Sequence, residues 1–391
     1  MVHTRRSFLA TGGMAASLSV LGGQLYALAA QSAPRMLIVF LRGAYDAANV
    51  VIPVSSSFYY ESRPTLAVPK ERTMALDDDW GLHPSLKEPL ELFWNDKRIA
   101  FVPFCGTDNL SRSHFETQDR IEYGLAHDVG SGPSGFMQRI ASVMSGSKPI
   151  AFSDRLPIAF SGSINVPNFT LSPRKLAVSG RTRDVIQSMY EHDDLAPVVA
   201  QGFSVQQDVY KAINTEMRGA NRGAVSTKGF ELLATRVGYL MRERFNLGFV
   251  DIGGWDTHVN QGGVEGYLPK QVGSLGRGLA ALAKTMGPEW ANTVVIVVSE
   301  FGRTFRENGN RGTDHGHGSI YWVLGGSVHG GRMAGPQVEV KRDTLFQDRD
   351  WPVLTNYRSL IGGILQKGYG FTPAQIQLVF PSAPPADLNL V

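Results

Sequence analysis

Met36-Leu37-Ile38-Val39-Phe40-Leu41, broken at once by Arg42-Gly43-Ala44-Tyr45-Asp46, is the stretch on which the fold turns. Six consecutive apolar residues with no polar alternation describe a strand buried on both faces. The polar segment behind them describes a loop leaving its carboxyl end. The same arrangement recurs along the chain. Ile99 to Phe104 leads to Ser111-Arg112-Ser113-His114-Phe115-Glu116, and Phe249 to Ile252 leads to Gly253-Gly254-Trp255-Asp256-Thr257-His258. Val294 to Val298 leads to Ser299-Glu300-Phe301-Gly302-Arg303-Thr304 and on to Gly312-Thr313-Asp314-His315-Gly316-His317. Further strands are expected at residues 156–160 and 320–324, and helices at 86–94, from the 111–116 segment to about 123, at 268–286 and at 355–366. Residues 184–245 read mainly as helices and form an insertion, not an independent domain. Strands alternating with helices predict an α/β fold: a mostly parallel central sheet flanked by helices on both faces.

Thr4-Arg5-Arg6-Ser7-Phe8-Leu9 followed by an apolar, small-residue stretch describes a secretory signal over residues 1–29, leaving 30–391 as one domain. Paired arginines before Ser-Phe-Leu make it the twin-arginine kind, read by an export machinery that carries folded proteins, so the expected location is periplasmic or secreted. The stretch carries too many Gly, Ser and Gln residues for a spanning helix, and no other segment is long and apolar enough; no stable membrane span is expected after cleavage. Loss of Arg5 and Arg6 takes the formal net charge from +3 to +1. With no basic cluster either, nucleic acid is excluded as a partner. The lone Cys105 allows no internal disulfide and reads as a buried small hydrophobe.

The strand ends carry the chemistry. In an open α/β sheet, groups that follow neighbouring strands converge at the carboxyl edge, where ligands bind. Asp46, Asp256, His258, Glu300, Asp314, His315 and His317 are the candidate metal ligands. Mixed oxygen and imidazole donors suit one or two ions of zinc, manganese or iron better than calcium. Ser113, at the start of a helix, is the candidate nucleophile with His114 beside it, a metal-activated water being the alternative, and Arg42 or Arg303 would pair with an anionic group. Each has a structural alternative: a turn acceptor for Asp46, an N-cap with Glu116 for Ser113, packing for His114, an Asx turn for Asp256, and an ion pair for Glu300 with Arg303. His83, in Trp80-Gly81-Leu82-His83-Pro84, reads as a surface or capping residue. Tyr45, Trp80, Trp255 and Phe301 are either sugar-stacking or core aromatics.

Taken together, these motifs resemble an exported bacterial family known as domain of unknown function 1501, over nearly the whole chain. The family in turn resembles a remote branch of the alkaline-phosphatase-like superfamily of phosphatases and sulfatases. That resemblance implies an alkaline-phosphatase-like fold and a metal site built in a set order. Asp46 falls at the position after the first strand, and Ser113 or His114 near the nucleophile. Asp256 and His258 match a middle Asp/His pair at shortened spacing, and His315 or His317 matches the last histidine. Glu300-Phe301 stands where a later Asp-His pair is expected, so one of two metal sites loses a ligand. The expected activity is metal-dependent hydrolysis of a phosphate or sulfate ester, on a small-molecule or glycan substrate. The alternative is a non-catalytic metal- or glycan-binding envelope protein on the same fold.

Overall fold

Strand β1 (Arg35–Leu41) contains the apolar run 36–41 and lies inside the sheet. The computed structural model describes residues 33–126, 132–169, 180–204 and 229–391, of which Pro34–Val391 belong to one compact unit. The signal-peptide reading and residues 205–228 of the helical insertion lie outside the described residues. Strands β2 (Val51–Pro53), β3 (Met74–Ala75) and β4 (Trp80–Leu82) form a small antiparallel sheet. The main sheet adds β5 (Ile99–Gly106), β6 (Pro149–Phe152), β7 (Leu247–Ile252), β8 (Thr293–Ser299), β9 (Ser319–Leu324), β10 (Arg332–Met333) and β11 (Thr355–Asn356). Its order is β10-β5-β9-β8-β1-β7-β6, with β11 also on β5. All pairings are parallel except those of β9, which runs against both β5 and β8.

Alternation within β1 explains the layers. Leu37, Val39 and Leu41 enter one core, shared with helices α3 (Phe230–Glu243) and α4 (Tyr267–Met286). Met36, Ile38 and Phe40 enter the other, shared with α2 (Phe136–Val143) and α5 (Tyr357–Gly368). Both faces of the strand are apolar because both are covered, each buried aliphatic side chain contributing about 1.5–3 kcal/mol by leaving water. One expected strand is displaced. The strand lies at Pro149–Phe152, and Ile158–Phe160 is a single 3-10 turn. Pro157 offers no N–H, and the buried Glu122 carboxylate takes the Ala159 N–H at 3.0 Å, which withdraws this segment from any ladder.

Register places the site. Leu41 is the partner of Ile252 in β7 and of Ser299 in β8. The loops beginning at Arg42, Gly253 and Glu300 therefore leave the sheet side by side. Because β9 is antiparallel, the β8–β9 loop holding Asp314 and His315 stays on that same edge. Helix α1 (His114–Tyr123) begins there after β5.

Candidate metal centre

Glu300, fully buried at the end of β8, organises one side of the site. Its Oε1 accepts from the Gly43 N–H, the Gln118 Nε2 and the His114 Nδ1, each at 2.8 Å, and its Oε2 from the Ser299 hydroxyl at 3.0 Å. Gly43 can approach so closely because it has no side chain: its φ is +118°, and a Cβ there would lie 2.7 Å from the Asp256 nitrogen. Burial alone would raise the Glu300 carboxyl, but the bonds from His114, Gln118 and Gly43 outweigh it and hold the group below its ordinary value. The same bond to Glu300, opposed by burial, raises the His114 imidazole. Phe301 lies under His114, ring centroids 5.0 Å apart and nearly parallel, and against His315 at 5.2 Å.

Two more imidazoles are pinned in the same manner. His315 Nδ1 lies 2.9 Å from the Arg112 carbonyl oxygen, which can only accept, so the ring carries its proton on Nδ1. His258 Nδ1 donates to Asp314 Oδ1 at 2.9 Å, and Asn308 donates to the same oxygen. Burial would raise Asp314, but these bonds keep it below the usual range. Gly312 lets this loop close, since a Cβ there would lie 2.3 Å from the His258 carbonyl.

With every Nδ1 occupied outward, the Nε2 atoms face inward toward Asp256. His258 Nε2 is 2.9 Å from Asp256 Oδ1 and 3.0 Å from His315 Nε2; His315 Nε2 is 3.4 Å from Asp256 Oδ1, and His114 Nε2 is 3.4 Å from Oδ2. Donor atoms of His114, Asp256 and His315 all lie within 4.8 Å of one another. His114 Nε2 is buried without a hydrogen-bond partner. Arg303, its side chain wholly buried, donates to Asp256 Oδ1 at 2.6 Å and to both Thr313 Oγ1 and the Thr313 carbonyl. Burial pushes Asp256 up, but Arg303 outweighs it and the carboxyl sits below its ordinary value. His315, by contrast, is lowered by burial.

The other expected site residues fall elsewhere. Asp46 lies apart from this group. Both its oxygens are taken by the buried Arg63 (2.5 and 3.0 Å), and Gln261 adds a third bond at 2.6 Å. His317 is buried, its ring against Phe346 at 5.1 Å between centroids. Arg42 is paired with Glu122 at 2.9 Å and Asp251 at 2.7 Å. Ser113 precedes α1, but its side chain does not cap the helix, and Glu116 accepts from Asn109 instead of closing a capping box. Tyr45, Trp80, Trp255 and Phe301 are all buried core, so none of them offers a face to a sugar. The inward turn of His114, the Arg112 carbonyl that holds His315 and the Gln118 amide that shares Glu300 with His114 carry no sequence signal beyond their place after a strand.

His83 is a buried cap. Its Nδ1 accepts from the Ser85 N–H at 3.1 Å and its Nε2 donates to the Gly263 carbonyl at 2.9 Å. Burial, only partly opposed by that carbonyl, lowers its pKa from 6.5. The folded protein thus binds this proton less readily than the unfolded chain, so the ring's contribution is complete above about pH 6.5 and lost as pH falls through the depressed value. Urea unfolding at about pH 7.5 and 5.5 should show a smaller pH dependence in His83→Asn, which keeps a capping oxygen. Identical pH dependence in the two proteins would remove His83 from the account.

A mostly parallel α/β sheet with a histidine and carboxylate cluster at its carboxyl edge defines the class. The chain belongs to the family described as protein of unknown function DUF1501, whose model matches residues 33–379. Among solved structures, it is similar to the C-terminal periplasmic domain of EptC from Escherichia coli in complex with zinc, at 10% identity and a TM-score of 0.37, covering 75% of this chain and 73% of that one. The soluble domain of lipooligosaccharide phosphoethanolamine transferase A from Neisseria meningitidis gives 10% identity and 0.38, over 76% and 78%. A protein of the alkaline phosphatase superfamily from Vibrio parahaemolyticus gives 10% and 0.36, over 75% and 61%. No curated protein matches the sequence.

Proposed function

We propose that His114, Asp256, His258 and His315 hold one divalent ion in an exported hydrolase of phosphate or sulfate esters. One observation carries the reading: three imidazoles, each fixed through Nδ1 by a carboxylate or carbonyl, direct Nε2 toward one carboxylate. Anchoring of that kind sets the tautomer in which Nε2 is a free donor, and it is the usual support of a metal-binding histidine. His258 and His315 bring their Nε2 atoms to 3.0 Å of each other, close enough for both to reach one ion. The three Nε2 atoms and the Asp256 carboxylate would hold the ion together, imidazole and carboxylate being ordinary zinc ligands. The N3O donor set favours zinc, with manganese or iron also suited.

A single ion is favoured over two because Asp46 is committed to Arg63 and Glu300 to His114. A bound ion would supply Lewis-acid polarisation of a phosphoryl or sulfuryl oxygen. The protein's own contribution is position and charge. Arg303 orients Asp256, and the amino end of α1 favours an anion beside it. The Ser113 hydroxyl, which does not cap the helix it precedes, stands at that helix end as the nucleophile. Arg42 and Arg303 are both spent on carboxylates, so neither is assigned to the substrate. Export rests on the Arg5-Arg6-Ser7-Phe8-Leu9 start, and among the described residues no helix is long and apolar enough to cross a membrane.

Elemental mass spectrometry on protein purified without chelator should find about one equivalent of zinc, manganese or iron, and a panel of phosphate and sulfate esters should show turnover lost on chelation. Metal without turnover on any ester would replace the hydrolase by a metal-binding envelope protein. A folded protein that binds no metal on titration would overturn the centre itself.

A further inference from the structure

Asp350 is fully buried, with no exposed side-chain surface, and lies far along the chain from every motif at the strand ends. It holds two arginines. Arg112 donates to Asp350 Oδ2 through Nε at 2.9 Å and through a terminal nitrogen at 2.7 Å. Arg349 approaches the same carboxylate at 3.2–3.3 Å. Both arginines then act on one residue. The Arg112 carbonyl accepts from His315 Nδ1 at 2.9 Å, and the Arg349 guanidinium donates to the His315 carbonyl at 2.8 Å. Asp350 therefore reaches the ring of His315 on one side and its backbone on the other.

The Arg112 backbone explains why a clamp is needed. Its φ is +52°, in the left-handed region that residues other than glycine rarely adopt. That conformation turns the carbonyl toward His315. A relaxed Arg112 would turn it away and leave the Nδ1 proton without an acceptor. Asp350 is itself anchored: Phe346 and Asp350 pair across a tight turn, the Arg349 carbonyl accepts from Phe305, and the Trp351 carbonyl accepts from Gly318. The turn is thus tied to the chain on both sides of His315.

We infer that Asp350 is a positioning residue for His315, acting through Arg112 and Arg349 to keep the imidazole protonated at Nδ1 with its Nε2 free. The inference rests on the proposed centre for the purpose of that free nitrogen, but the tautomer can be read without any metal. In metal-free full-length protein, nitrogen-15 spectra of the histidine rings should show His315 as the Nδ1–H tautomer. In Asp350→Asn it should become a mixture, while His258, anchored separately by Asp314, keeps its own. Zinc titration should show affinity weakened about 10–100-fold, the range for loss of an outer partner of a ligand. Arg112→Met, which keeps the backbone carbonyl but removes the clamp, should give the same two changes, and Asp350→Asn combined with Arg112→Met, which removes the buried charge together with its partner, should show them in a protein that stays folded. An unchanged His315 tautomer and an unchanged zinc affinity in both variants would overturn the inference. A shifted tautomer in a protein that binds no zinc even as wild type would uphold Asp350 and sink the metal centre.

Discussion

On the proposed centre, His315→Ala is expected to abolish metal binding. The ring supplies the Nε2 that lies 3.0 Å from that of His258 and 3.4 Å from Asp256, and no other side chain in the cluster can replace it. The neighbouring His317 is turned onto Phe346. Loss of a direct ligand should exceed the roughly 10–100-fold weakening that follows loss of an outer partner, so purified His315→Ala should contain no stoichiometric zinc, manganese or iron. Ester turnover should fall with it. Glu300→Gln makes the comparison: His114 keeps a hydrogen-bond partner but loses the charge, and affinity should weaken within that smaller range. Full metal content in His315→Ala, measured by elemental mass spectrometry, would remove His315 from the centre. Because the ring is part-exposed, the fold should survive its removal, and a circular dichroism melt near wild type would show that metal was lost without unfolding.

The second large effect is on stability, and it separates Asp46 from the centre. Arg63 is completely buried; it donates to Asp46, to Asn49, and to the carbonyls of Thr304 and Phe305. Arg63→Met would leave the Asp46 carboxylate buried with only Gln261 to answer it. Breaking a buried pair from one side costs about 3–5 kcal/mol, because the remaining charge is uncompensated. Urea unfolding should show that loss. Asp46→Asn combined with Arg63→Met should recover much of it, since the charge then goes with its partner. The double variant should also keep its metal. Loss of metal on a scale with His315→Ala would instead return Asp46 to the ligand set, while a single variant as stable as wild type would dismiss the pair as a structural element.

Legibility in the sequence followed the physics of each element. Six apolar residues in β1 could be buried only if both faces were covered, and the structure covers both. The short run at 156–160 had no such constraint, and Pro157 with the Glu122 carboxylate made it a turn. Among site residues, Asp256, His258 and His315 follow strands whose ends are in register, so their convergence could be read from the order of the chain. Glu300 and Asp314 lie in the same loops, yet they orient histidines and do not face inward themselves. The difference between holding an ion and holding the residue that holds it depends on a rotation of one side chain, which leaves no trace in spacing. Asp46 illustrates the same limit. Its place after β1 matches a ligand, but Arg63 lies 17 residues away on an unremarkable segment, and only folding brings its guanidinium to both oxygens.

What the sequence by itself determined was therefore the α/β class, the order of the loops that gather at the carboxyl edge of the sheet, and the family. Each depends on local composition and on the order of strands and loops, which pairing in register preserves. What only the tertiary structure decided was which nitrogen of each histidine faces inward, the withdrawal of Asp46 into an ion pair with Arg63, and the reach of Asp350 to His315. Those depend on hydrogen bonds between residues up to 257 positions apart, as between Gly43 and Glu300, and such partners are chosen by packing once the strands have met.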